Sequence, residues 1–351
     1  MKILIFGAGA VGGYLGARLS HAGHEVTLVA RTTMAESINH NGLAIVENNR
    51  HLITQPQAVV SLRQAVLDSA PYDAILLGMK AYDLEAAINE MIAFYPLPPT
   101  LITLQNGIGV EEQLMRQFGA EKVVAGSVTI PLSMSASHVI TVEHSGRGLA
   151  LAPVTSGQII NPWVELFQEA SIATLAVDSY QSLKWSKALL NIMGNASSAI
   201  VNRHPRVIYG YAPTFELERS MLRETLAVMR RLKIKVIDLP GAPAARLSRA
   251  LRWLPSFILQ PILTRRIAEG RGDKMPSFHV DLSAGKEKNE VAYHNGAIAR
   301  FGREEGVAVP VNTVLADLLL KLAHKELDWR EFDGHPKRLL AEIKRFQQGQ
   351  R

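Results

Sequence analysis

Residues 2–19 read KILIFGAGAVGGYLGARL and limit the fold more than any other part of the chain. KILIF has the composition of a short buried strand, GAGAVG comes directly after it, and the next residues read as a helix with small side chains on one side. HEVTLVAR then reads as a second strand. Strand, glycine turn, helix and strand within about 30 residues is the pattern of a dinucleotide-binding unit. Gly7 permits the tight turn, Gly9 lets the backbone approach a pyrophosphate, and Gly12 lets the helix pack close to the strand. Together with Ala8, Ala10 and Val11 they form the turn that offers backbone N–H groups and a positive dipole end to phosphates.

The end of the second strand selects the cofactor. An NAD site carries Asp or Glu there to hold the ribose hydroxyls, whereas this chain has Ala30-Arg31. An acid would repel a 2′-phosphate; an arginine can pair with it, so NADP(H) is expected over NAD(H). The plainer alternative is a solvent-facing arginine.

The α/β pattern continues. YDAILLGMK reads as a strand ending at Lys80, AYDLEAAINEMIAFY as a helix, and PTLITLQNG as a strand ending at Asn106-Gly107. IGVEEQLMRQFG is a helix and KVVAGSVTI another strand. Ligands of open α/β sheets sit beyond the carboxyl ends of strands, which singles out Lys80 and Asn106. VTIPLSMSASHVITVEHSGRGLALAP is hairpin-like, with HSGRG as the turn, and ends the sheet. A helix and strand come next, and the boundary falls near Asp178. The expected architecture is an α/β N-terminal Rossmann-type domain over residues 1–177 and an all-α C-terminal domain over 178–351. The 351 residues leave room for both, and 47% hydrophobic with 20% charged residues is ordinary for a globular protein.

In the second half, residues 184–202 read KWSKALLNIMGNASSAIVN. The run reads as one helix, in which positions four apart advance by about 400° and stay on one stripe. Lys187, Asn191 and Asn195 would therefore point the same way. A solvent-facing polar stripe is the bland reading, but asparagine is a poor helix former. Reduction of a ketone creates an alkoxide, which a nearby ammonium can stabilise and protonate while asparagines hold the substrate. Further on, Ser277 comes after a proline at a helix start and could be its N-cap. Glu290 and Asn295 fall on the next helical pattern. A helix opens after Pro310, with Asn312 or Thr313 as its N-cap.

The net charge is +6 with a pI near 9.5, yet the cations form no long runs and no aromatic pattern accompanies them, so no nucleic-acid partner is expected. There is no cysteine, which removes disulfides, thiolate metal sites and cysteine nucleophiles; no metal is expected. No apolar run approaches the ~18 residues of a membrane span. The glycine turn argues against reading the N-terminus as a signal peptide. These readings make the protein cytoplasmic, with no membrane partner.

The pieces GAGAVGGYLGARL, LVAR, LLGMKAYDLEAAI, LQNGIGVEEQL, EHSGRG, KWSKALLNIMGNASSAIVN, KMPSFHVDLSAGKEKNE, YHNG and GVAVPVNTVL occur in that order. In this the chain resembles the ketopantoate reductase (2-dehydropantoate 2-reductase) family over most of its length. The resemblance implies NADPH-dependent reduction of 2-dehydropantoate to (R)-pantoate, a step toward pantothenate and coenzyme A. It makes Lys187 the general acid, with Asn191, Asn195 and Ser277 as substrate contacts. Glu290 would lie near cofactor and substrate, Lys80 and Asn106 would border the nicotinamide side of the cleft, and Arg31 would prefer NADPH. The spacing from Asp281 is about one residue long, which leaves Glu287 as the alternative to Glu290. The stretch 206–274, which includes ALRWLPSFILQPILTRRIAEGRG, is longer than the family's shorter members need and could serve homodimer contacts, cover the cleft or reshape the substrate pocket. Two other readings stay open: an NADP-dependent reductase of another 2-keto or 3-hydroxy acid, and a regulator that binds NADP(H) without turnover.

Overall fold

The computed structural model describes residues 1–271 and 274–349; two residues of the long stretch 206–274 lie outside it. The chain divides into two compact units, Met1–Lys184 with Leu239–Pro243, and Trp185–Asp238 with Ala244–Arg351.

The first unit contains twelve strands: β1 (Lys2–Phe6), β2 (Glu25–Val29), β3 (Leu43–Glu47), β4 (Arg50–Thr54), β5 (Gln57–Val59), β6 (Ala74–Leu77), β7 (Thr100–Thr103), β8 (Val123–Val128), β9 (Leu132–Ala136), β10 (Val139–Val142), β11 (Leu149–Pro153) and β12 (Thr174–Ala176). Its helices are α1 (Ala10–His21), α2 (Thr32–Asn41), α3 (Leu62–Ser69), α4 (Leu84–Phe94), α5 (Val110–Phe118) and α6 (Asn161–Glu169). Eight strands form one sheet in the order β12-β11-β8-β7-β6-β1-β2-β5, parallel except where β11 runs antiparallel to β8. β1, β6 and β7 read as apolar runs because helices cover a parallel sheet on both faces.

A second sheet, β4-β3-β10-β9, was not legible in the sequence. The turn HSGRG therefore does not join two strands of one sheet: it leads from β10 in the small sheet to β11 in the large one. Helix α1 lies between the two. A Cβ on Gly16 would come 2.8 Å from Leu28 of the large sheet, and one on Gly13 would come 2.6 Å from Ile140 of the small one. The small-residue face expected of this helix is thus used on two sides.

The second unit is helical. Helix α7 (Tyr180–Asn191) enters it and is succeeded by α8 (Ala196–Val201), α9 (Pro205–Gly210), α10 (Ala212–Arg231), α11 (Ala244–Trp253), α12 (Ser256–Arg271), α13 (Ser277–Ser283), α14 (Asn295–Glu304), α15 (Pro310–Ala323) and α16 (Pro336–Gly349). Three details differ from expectation. The run 184–202 is not one helix: α7 stops at Asn191 and α8 starts at Ala196. Gly194, at φ +59°, makes the turn between them. The N-cap of α15 is Val309 with Pro310 in the first turn, not Asn312 or Thr313. Pro276, not Ser277, is the N-cap of α13.

Candidate functional site

In the first unit the positions of the site residues are set by strand register. Phe6 of β1 is paired with Val29 of β2 on one side and Leu77 of β6 on the other, and Leu77 is paired with Thr103 of β7. The carboxyl ends of four neighbouring parallel strands therefore lie in one row. The segments that leave these strands emerge at the same edge, and they carry Gly7–Gly12, Arg31, Lys80 and Asn106. Lys80 and Asn106 lie a few residues beyond their strands rather than at the last position.

The glycine turn is packed from behind and open in front. Gly7 has φ +100°, and its N–H and that of Ala8 donate to the Val29 carbonyl at 3.2 and 3.0 Å. A Cβ on Gly12 would lie 2.3 Å from the Gly7 carbonyl oxygen, so no side chain fits there. Gly78 closes the same packing, since its Cβ would lie 2.5 Å from that oxygen. Gly78 is not among the residues singled out from the sequence, although its signal is plain: a glycine directly after the apolar strand β6. A Cβ on Gly9 would meet nothing within 4 Å, and no side chain caps α1. Exposed backbone at an uncapped helix N-terminus fits the diphosphate of a dinucleotide. Ala10 and Val11, half-buried, form the first turn of α1. Arg31 is exposed at the N-cap of α2, two residues after β2.

The loops after β6 and β7 are tied together. The Gln105 side-chain amide donates to the Met79 sulfur at 3.1 Å, between the residues neighbouring Asn106 and Lys80. Lys184, a bystander on sequence grounds, holds this loop from beneath. Its Nζ is 2.8 Å from Glu111 and donates to the Gln105 carbonyl at 2.9 Å. Lys184 and Glu111 are 3% and 1% exposed, and Thr103 also donates to Glu111. Next to it, burial raises the Glu112 carboxyl above the usual range, and Tyr180 donates to that carboxyl at 3.3 Å. An acid pair opening an amphipathic helix, VEEQL, was the available signal for a buried cation.

In the second unit, Trp185, Ser186, Ala188 and Leu189 are buried, while Lys187 and Asn191 are half-buried on the remaining face of α7. Trp185 stacks edge-on against Phe301 with centroids 5.5 Å apart, and the Ile237 N–H donates to Ser186 Oγ at 2.9 Å. The helix is thus fixed in rotation, and Lys187 and Asn191 share the stripe expected of them. Asn195 does not continue it, because the turn at 192–195 redirects the chain. Its amide donates to the Asn191 carbonyl at 3.1 Å and to Ser277 Oγ at 3.4 Å, and its Oδ1 accepts the Phe278 N–H at 3.2 Å. Asn195 therefore joins α7 to the N-terminus of α13.

Ser277 is exposed. Phe278 extends the cluster: its carbonyl accepts from Asn289 at 3.5 Å, and its ring meets His294 at 5.6 Å. Glu290, between Asn289 and His294, is 3% exposed at the start of a 3-10 turn, Glu290–Tyr293, whereas Glu287 is exposed. Asn191, Asn195, Ser277 and the Glu290 segment are thus brought into one neighbourhood of the second unit. Asn295 lies at the start of α14 and donates to Asn312 at 3.0 Å.

Sheet order, glycine turn and helical second unit define a Rossmann-type dinucleotide fold with a helical C-terminal domain. The chain belongs to the ketopantoate reductase PanE/ApbA family of oxidoreductases: residues 3–151 match that family's N-terminal description and residues 179–323 its C-terminal one. It is 26% identical over 319 residues to the 2-dehydropantoate 2-reductase of Pyrococcus horikoshii, covering 90% of this chain and 95% of that one. The PanE/ApbA family ketopantoate reductase of Ralstonia eutropha JMP134 superposes with a TM-score of 0.77 at 27% identity, over 93% of this chain and 99% of that one. A ternary structure of D-mandelate dehydrogenase with NADH and anilino(oxo)acetate shares the fold, with a TM-score of 0.76 at 21% identity over 93% and 99% of the two chains.

Proposed function

We propose that this chain is a cytoplasmic NADP(H)-dependent reductase that converts 2-dehydropantoate to (R)-pantoate, a step toward pantothenate and coenzyme A. The observation that carries the reading is Lys187, a half-buried cation one turn before the half-buried Asn191 on a helix whose other side chains are largely buried, in a member of the ketopantoate reductase family. Gly7, Ala8, Gly9, Ala10, Val11 and Gly12 would bind the diphosphate, and Arg31 would pair with the 2′-phosphate. The two-domain division at residues 177 and 178 belongs to the same reading, with dinucleotide binding assigned to the first domain and the substrate to the second.

Bound NADPH would supply the hydride that reaches the keto carbon. The electron pair of the carbonyl then rests on oxygen as an alkoxide. The Lys187 ammonium stabilises that charge and gives its proton to the oxygen, leaving a neutral amine that regains a proton from water. Asn191 holds the substrate from the next turn of α7. Ser277 offers a hydroxyl, with Asn195 setting its position. By the family resemblance, Lys80 and Asn106 would border the nicotinamide, and Glu290 would lie near cofactor and substrate.

Lys187→Ala tests the assignment. Turnover should fall by about 10²-fold or more, the size of a lost general acid. NADPH affinity, measured by fluorescence titration, should stay unchanged; a fully active variant removes Lys187 from the chemistry. D-mandelate dehydrogenase shares this fold, which keeps a second reading in view: the same chemistry on another 2-keto acid.

A further inference from the structure

The reduction leaves residues 239–268 without a role. They hold five arginines, 246, 249, 252, 265 and 266, and no Asp, Glu or Lys. Helix α11 buries Ala244 and Leu251 and leaves its arginines exposed. It ends at Trp253, which is 73% exposed, with the Arg252 guanidinium 5.0 Å from its ring. Helix α12 buries Leu259, Leu263 and Ile267, spaced by one turn. Its exposed side chains include Phe257, 77% exposed, Ile258 and Ile262, then Arg265 and Arg266 further along. Arg265 pairs with Glu269 at 2.7 Å, so part of that charge is offset.

Exposed Trp, Phe and Ile side chains interspersed with exposed arginines are the composition of an interfacial segment, whose apolar side chains enter the headgroup boundary while cations meet anionic lipids. Arginine stems extend along apolar surface and keep their guanidinium groups at the interface. We propose that α11 and the first half of α12 form a peripheral docking surface for an anionic lipid bilayer. Charge complementarity selects this occupant over a second copy of the chain, because a two-fold contact through this face would set Arg246, Arg249 and Arg252 against the same three. No described helix is long and apolar enough to cross a membrane. The expectation of no membrane partner rested on the lack of a spanning run, and in-plane contact needs none.

The test is sedimentation of the full chain with vesicles of phosphatidylcholine alone or mixed with phosphatidylglycerol. The expected result is binding to the anionic vesicles only, lost at roughly 1 M salt, where the Debye length is about 3 Å. Replacing Arg246, Arg249 and Arg252 with Gln should weaken binding by about 10²-fold. Trp253→Ser combined with Phe257→Ser and Ile262→Ser should abolish it, with thermal unfolding of both variants unchanged. Failure to bind anionic vesicles, or equal binding to neutral ones, overturns the proposal. So does a dimer in analytical ultracentrifugation that the apolar variant dissociates. Binding of poly-glutamate without vesicle binding would assign the face to an acidic protein and also overturn it.

Discussion

At the scale of single residues, charge placement decides most. Arg31 is exposed where a ribose-binding acid would sit in an NAD site, so its guanidinium is available to a 2′-phosphate. Arg31→Asp should weaken NADPH by at least about tenfold while changing NADH little, since one charge-assisted contact is worth about 1.5–3 kcal/mol. Titration of both dinucleotides checks this, and an unchanged ratio removes Arg31 from the site. Lys184 is a different kind of cation. It is buried against Glu111 and the Gln105 carbonyl, and its removal strands a carboxylate in the interior. Lys184→Met should cost about 3 kcal/mol or more in urea unfolding, whereas Lys184→Met combined with Glu111→Leu should recover much of the loss. Equal losses in the two variants would show that the ion pair is not what holds this loop.

At the scale of elements, the turn between α7 and α8 shows how a buried polar group overrides local pattern. The Gly194 N–H donates to Glu218 at 2.8 Å, and Ser197 and Tyr209 donate to the same fully buried carboxylate. Residues 184–202 alone read as continuous helix because the partner that holds the break lies in α10. That is also why Asn195 could be placed near the site from sequence but not given its bonds to Ser277 and Phe278. A second carboxylate, the half-buried Glu224 of α10, accepts the N–H groups of Val311 and Asn312 at 2.9 and 3.0 Å and caps α15 from outside. The sequence suggested a cap from Asn312 itself; a cap supplied across more than 80 residues leaves no local trace. Burial pushes the Glu224 carboxyl from 4.5 up to about 6 despite those donors. The folded state therefore holds this proton more tightly than the unfolded chain. Its contribution to stability is complete below pH about 4.5, declines as pH rises through about 6, and is flat above, a span of about 2 kcal/mol. Thermal melts of Glu224→Gln against the parent protein across that window should show the difference; parallel curves would contradict the assignment.

At the scale of the whole molecule, the large sheet was legible because its parallel strands are buried on both faces and must be apolar throughout. Gly7 and Gly12 were legible because the packing of strand, turn and helix leaves no room for a side chain there. The small sheet was not: its outer strands, β4 and β9, are largely exposed and carry little apolar signal. Lys187, Asn191 and Ser277 are candidates from residue type and family pattern, while Lys184 and Gly78 needed the packing around them. Within the proposed function one question stands above the others, which 2-keto acid is the substrate. Steady-state oxidation of NADPH with 2-dehydropantoate against a panel of 2-keto acids, phenylglyoxylate included, answers it most directly. 2-Dehydropantoate should give the highest kcat/KM of the panel. A 2-dehydropantoate rate no greater than that of simple 2-keto acids would contradict its assignment as the substrate.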